Sequence, residues 1–143
     1  MAGVKPYQYL IGVGGGTVTS IIFALIGDFT ILETLKFLVI MITGTASSII
    51  LGAAIGMLSK NQQVATALAM LVAIIIGFTP MVASFNETIA KFAGILYTQQ
   101  INIVVNDFSV SLIHPLFVII TNITIFAILF VIVSRKKGLK GYN

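Results

Sequence analysis

The sequence predicts an all-α membrane protein: four transmembrane helices, with a short re-entrant or interfacial amphipathic helix pair on the outer side. Three observations carry that prediction. Of 143 residues, 58% are hydrophobic and only 8% are charged, against about a quarter charged in an ordinary soluble domain. The mean hydropathy is +1.11. The few charges are also grouped: none falls between Lys5 and Asp28, Lys36 and Lys60, Lys60 and Glu87, or Asp107 and Arg135. Each gap exceeds the roughly 20 apolar residues needed to cross a bilayer at about 1.5 Å per residue. A helix is the form that satisfies every backbone N–H and C=O in hydrocarbon.

These gaps place helices at residues 9–26, 35–58, 64–82 and 110–133, in one transmembrane domain covering 1–143. Ahead of the first stands Lys5, a signal-peptide-like feature, but the apolar run is too long and has no A-x-A-like cleavage site. It reads as a retained helix. Gly12, Gly14, Gly15 and Gly16 inside it match neither G-x-G-x-x-G nor a P-loop, and read as a small face for close helix packing. The second helix carries a similar face, Gly52-Ala53-Ala54-Ile55-Gly56, with Ala46, Ser47 and Ser48 before it. Gly12, Gly16, Gly52 and Gly56 are therefore the helix-packing residues, in a homodimer contact or an internal one.

Ser59-Lys60-Asn61-Gln62 has capping-box spacing and marks the start of the third helix. Gly77-Phe78-Thr79-Pro80-Met81 closes that helix, because proline lacks the N–H that continuation needs; its position also suits it to set the angle of a gate. The outer segment, residues 84–108, is too apolar for a solvated loop. Ser84-Phe85-Asn86-Glu87 forms a second capping box, and Ile89, Phe92, Ala93, Leu96 and Tyr97 then recur along one helix face. Polar Thr98-Gln99-Gln100 ends this helix before a second apolar piece at 101–105. His114-Pro115 opens the last helix, in which Asn122, Thr121 and Thr124 sit deep enough to bond another helix or line a pathway.

Four crossings put both termini on one side. Lys5, Lys60, Arg135, Lys136, Lys137 and Lys140 share that side, whereas Asp28, Glu33, Glu87 and Asp107 fall on the other with Lys36 and Lys91. By the positive-inside rule both termini are cytoplasmic, in a multi-pass protein of the cell membrane. Lys36, near a helix end, snorkels to the interface. The net charge of +4 belongs to a juxtamembrane anchor, and lipid is the partner it implies, not nucleic acid. With no cysteine and a single histidine the chain has poor means of holding a metal, and no cofactor is expected. No ionisable residue lies near a helix centre, which argues against ion-coupled transport.

The order of these features resembles the C-terminal part of an ABC exporter permease of the type-2 exporter class, over nearly the whole chain. Gly3-Val4-Lys5-Pro6-Tyr7-Gln8-Tyr9-Leu10-Ile11-Gly12 is similar to the passage from coupling helix to third helix in that family. The stretch from Leu51-Gly52-Ala53-Ala54 through Ser59-Lys60-Asn61-Gln62-Gln63 to Ala65-Thr66-Ala67 resembles its fourth helix, cytoplasmic turn and fifth helix. Gly77-Phe78-Thr79-Pro80 and the outer segment resemble the region between its fifth and sixth helices.

The resemblance implies the last four of six helices, hence a fragment, a truncated permease or one piece of a split one. It implies a second permease copy or the missing segment as partner. It also implies a separate cytoplasmic ATP-binding subunit, met by Lys5, Pro6, Tyr7, Gln8, Lys60 and Asn61. Nucleotide chemistry would lie on that subunit, so the chain is not expected to be an enzyme. Gly77, Phe78, Pro80, Phe85 and Phe92 form the candidate gate or re-entrant region. Two other functions stay open: a small non-transport membrane protein, such as an accessory or immunity subunit, and a pore-forming oligomer.

Overall fold

The computed structural model describes the backbone of residues 29–140 and the side chains of 29–136. The predicted helix at 9–26, with Gly12 and Gly16, and the Lys5, Pro6, Tyr7 and Gln8 stretch lie outside them. Five helices make up the described fold: α1 (Ile31–Leu58), α2 (Gln62–Ala83), α3 (Glu87–Ala93), α4 (Tyr97–Asn106) and α5 (Ile113–Lys140). Three of them, α1, α2 and α5, are long and apolar enough to cross a membrane. The other two are the short pair expected between the last two spans.

Helix boundaries follow capping chemistry more closely than hydropathy. α1 begins at Ile31 rather than at residue 35, because Thr30 and Glu33 form a capping box: Thr30 N–H donates to Glu33 Oε2 at 2.8 Å, and Glu33 N–H to Thr30 Oγ1 at 3.3 Å. The two predicted capping boxes are replaced by asparagine caps. Asn61 Oδ1 accepts from Val64 N–H at 2.9 Å to start α2, and Asn86 Oδ1 accepts from Thr88 and Ile89 N–H to start α3. Ser59 and Ser84 instead close the preceding helices, their hydroxyls donating to Ile55 O and Met81 O. Each serine is still within the last turn of one helix, so the asparagine just ahead of the next is the residue placed to cap it.

α2 does not stop at Pro80; it runs on to Ala83. Three residues from a helix end, proline forfeits a single intrahelical bond. α5 starts at Ile113, with Pro115 buried in its first turn, where a missing N–H leaves no carbonyl unserved. It then continues past residue 133 through the basic cluster to Lys140.

Pairings between the helices give their directions. Along α1, Lys36, Gly44 and Ser48 meet Phe108, Ile101 and Tyr97 in turn, so α4 and the chain just after it run antiparallel to α1. Along α5, Asn122 and Phe126 meet Ile95 and Tyr97, near the start of α4 and away from the end that leads into α5. α4 is thus antiparallel to α5 too, and α1 and α5 are parallel neighbours with the most extensive pairing among the described helices.

Buried Ile40, Tyr97, Val104 and Ile119 form the centre where α1, α4 and α5 meet. Lys36 locks the end of α4 to α1: its Nζ donates to Phe108 O at 2.6 Å and Val110 O at 3.1 Å. Phe29 and Phe108 pack edge-to-face beside it. In the same connection the Ser109 hydroxyl, and then its N–H, hold the Asp107 carboxyl below the usual carboxylate range.

α2 is held differently. Ala83 is the only residue of α2 that is buried, and Leu71, Ile74, Ile75, Phe78 and Met81 are exposed. Lipid is as apolar as these side chains, so they gain little by burial against another helix, and association must come from packing and hydrogen bonds.

α4 packs closely on α1 at Gly44, where an added methyl group would meet the Cδ1 end of the Ile101 side chain. Gly56 has open space at the same position, and both Gly52 and Gly56 are exposed. Gly44→Val is expected to lower stability by about 1–3 kcal/mol through overpacking, with Ile101→Ala recovering part of the loss. Gly56→Ala should be neutral or stabilising by up to about 1 kcal/mol. Thermal unfolding in detergent measures both; a Gly44→Val protein as stable as the parent would refute the contact.

Candidate functional site

α3 and α4 form a hairpin that folds back into the bundle. α2 ends at Ala83, yet Thr98, just after the hairpin turn, reaches Ile76 of α2. α3 packs along α2 on the way in, and α4 packs on α1 and α5 on the way out. The turn itself, Gly94-Ile95-Leu96, lies beside Asn122. At about 1.5 Å per residue that is about 14 Å along α5 from Ile113. The break falls here and not at Thr98-Gln99-Gln100, which instead supply the first turn of α4.

Every backbone group of that turn is paired. Gly94 N–H donates to Ala90 O at 3.0 Å, Ile95 N–H to Phe92 O at 3.3 Å and Leu96 N–H to Ala93 O at 2.8 Å. On the acceptor side, Gly94 O receives Gln100 Nε2 at 2.6 Å, Ile95 O receives Asn122 Nδ2 at 2.8 Å, and Leu96 O receives Gln100 N–H at 3.3 Å. Asn122 and Gln100 are both buried. Gln100, from the polar triplet that looks like a helix end in the sequence, and Asn122 thus serve the carbonyls of a turn placed among apolar helices.

Two further bonds tie the tip outward. Tyr97 Oη and Ser48 Oγ share a hydrogen bond of 2.9 Å, while the Tyr97 ring meets Phe126 edge-to-face at 6.3 Å. Thr98 Oγ1 donates to Ile76 O at 2.8 Å. Ile76 O is the carbonyl four residues before Pro80, the one that a proline at that position cannot serve. The hairpin threonine therefore supplies the donor that the proline withholds. Thr121 and Thr124, by contrast, donate to carbonyls of their own helix.

Below the tip, α1 and α2 diverge around a cleft of about 240 Å³. Its walls carry Ser48, Gly52, Ala73 and Gly77, and Tyr97 and Thr98 close its inner end. Among the described residues, no carboxylate, imidazole or amine lines it. Such a surface can hold, exclude or pass an apolar molecule, and it offers hydroxyls for a few hydrogen bonds. Among the described residues no three His, Cys, Asp or Glu side chains come together as a metal site.

The candidate gate residues divide into two groups. Gly77 and Pro80 face the hairpin, both lining a groove with Met41, Thr98 and Ile101. Phe78, Phe85 and Phe92 are exposed, Phe92 leaving the otherwise inward face of Ala93 and Tyr97. Lys60 and Asn61 are exposed in the α1–α2 turn. Gly44, Tyr97, Thr98 and Gln100 are site residues that sequence reasoning missed. A polar triplet inside an apolar segment was the available signal for the last two.

No family model, curated protein or solved structure matches the chain.

The Thr98–Ile76 bond can be isolated by a double-mutant cycle. Thr98→Val alone leaves a partly buried carbonyl unpaired and is expected to cost about 1–2 kcal/mol. In a Pro80→Ala background, where residue 80 can donate to Ile76 O, the same change should cost less, by about 0.5–1 kcal/mol. Unfolding by detergent titration measures the cycle; additivity of the two changes would remove the pairing from the account.

Proposed function

We propose that the chain is the membrane-spanning permease part of an ATP-driven exporter, moving a substrate outward across the cytoplasmic membrane while a separate subunit hydrolyses ATP. The observation that supports this reading most is the helical hairpin between α2 and α5. It folds back at the place where the resemblance sets the region between the fifth and sixth permease helices. On this reading α3 and α4 are a re-entrant pair on the outer face, both termini are cytoplasmic, and the α1–α2 turn faces the ATPase.

Mechanically, α2 is suited to move. It is the least buried of the three long helices, and its described polar tie to the hairpin tip is the single bond from Thr98. α1, α4 and α5 share the packed centre and form the static side. A push on the Lys60–Asn61 turn would swing α2 about its outer end, widen or close the cleft beneath the tip, and break or remake the Thr98–Ile76 bond. The chain itself performs no catalysis and holds no cofactor in this scheme. Its partners are lipid, the ATP-binding subunit, and a second permease copy or the missing segment.

Affinity purification of the tagged chain, co-expressed with the missing helices and an ATP-binding subunit, tests the proposal. Vanadate-sensitive ATPase activity should co-elute, and Lys60→Glu should reduce it at least tenfold, equivalent to about 1.4 kcal/mol. Absence of any ATPase association would overturn the reading. Activity that persists without an ATPase would favour an accessory or immunity subunit, and ion conductance by the purified chain a pore.

A further inference from the structure

The parallel arrangement of α1 and α5 has a second consequence, at the end of the molecule away from the hairpin. Lys36 Nζ holds Phe108 O and Val110 O, which sets a common level for the two helices. Counted along the helices at about 1.5 Å per residue, α1 runs about 33 Å from Lys36 to Leu58, just before Lys60, and α5 about 33 Å from Ile113 to Arg135. A hydrocarbon core is about 30 Å thick, and about 40–45 Å including headgroups. Both cations therefore fall in the headgroup layer of the same leaflet, along with Lys136.

α5 remains helical through that layer to Lys140, so the sequence positions Lys137 and Lys140 follow on the same rigid rod. Lys60, Arg135 and Lys136 are exposed. Among the described residues every acidic side chain is at the opposite end: Glu33 in the first turn of α1, Glu87 at the start of α3, and Asp107 after α4. The layer thus carries cations from two helix ends with no described acidic group to neutralise them.

We infer that this end of the molecule is a binding surface for anionic phospholipid headgroups, assembled from the α1–α2 turn and the C-terminal turns of α5. A single basic tail would give a diffuse attraction. Here two separate chain segments are fixed at one depth by the α1–α5 packing, which presents their charges together to phosphate oxygens at the lipid surface. The inference needs the helices to span a bilayer and does not depend on the exporter reading.

The full chain, reconstituted in phosphatidylcholine vesicles at low salt, tests this with trace spin-labelled phosphatidylglycerol or phosphatidylcholine as probe. Phosphatidylglycerol should associate at least fivefold more strongly with the protein, the scale expected for one surface cation. Lys60→Gln/Arg135→Gln/Lys136→Gln should bring the preference below twofold, while Lys91→Gln, at the other end, should retain it. Equal association of the two lipids, an unchanged preference in the triple variant, or its loss in Lys91→Gln would each overturn the inference. Displacement of the labelled lipid by millimolar glycerol phosphate would assign the surface to free phosphate and overturn it as well. Should the triple variant fail to fold, 0.5 M NaCl on the parent protein serves instead: the preference should collapse by screening, and insensitivity to salt would be the contrary result.

Discussion

A turn set between apolar helices must have a partner for each of its backbone polar groups, and the rest of this structure depends on that constraint. Leaving one such group unpaired in an apolar setting costs several kcal/mol. The Gly94-Ile95-Leu96 turn presents three N–H and three C=O groups, and α3 serves the first set while Gln100 and Asn122 serve the second. These partners come from both ends of the hairpin and from α5. The turn can therefore occupy its position only when α5 is already alongside, and α5 is in turn packed on α1 around Ile40 and Ile119.

The same requirement explains why a proline sits where it does. Pro80 frees the carbonyl of Ile76, and Thr98 uses it. In a regular helix that carbonyl would already accept a backbone N–H, so the proline leaves the Ile76 oxygen free for the hairpin. α2 thereby gains a polar tie to the hairpin beside its packing on α1, α3 and α4. The contrast between the buried centre shared by α1, α4 and α5 and the largely unburied α2 is what gives the proposed gating movement a physical basis.

Much of this was legible in the sequence, for reasons that can be stated residue by residue. Charge-free gaps marked the long helices because hydrocarbon excludes charge, and the amphipathic stretch after Asn86 marked a helix that does not span. The hairpin break was misplaced because Thr98, Gln99 and Gln100 look like a solvated helix end; instead the Thr98 hydroxyl bonds α2 and the Gln100 amide N–H bonds the tip. The early start of α1 was readable in Thr30 and Glu33, whose spacing is that of a capping box. Gly44 was not readable at all, since its role is defined by Ile101, far along the chain. Of the glycines that the G-x-x-x-G pattern singled out, Gly52 lines the α1–α2 cleft and Gly56 is exposed.

The central claim is that the hairpin enters the bilayer and does not lie flat on its surface. Exposed Phe85 and Ile95, one before α3 and one in the turn, separate these arrangements. Each can be replaced by cysteine in a chain with no other cysteine, spin-labelled in vesicles, and its depth read from the balance of oxygen and nickel-chelate relaxation. A label at 85 should be open to the water-soluble chelate, whereas one at 95 should be shielded from it and open to oxygen, at a depth comparable with a label at Thr121. Equal chelate access at 85 and 95 would contradict the insertion.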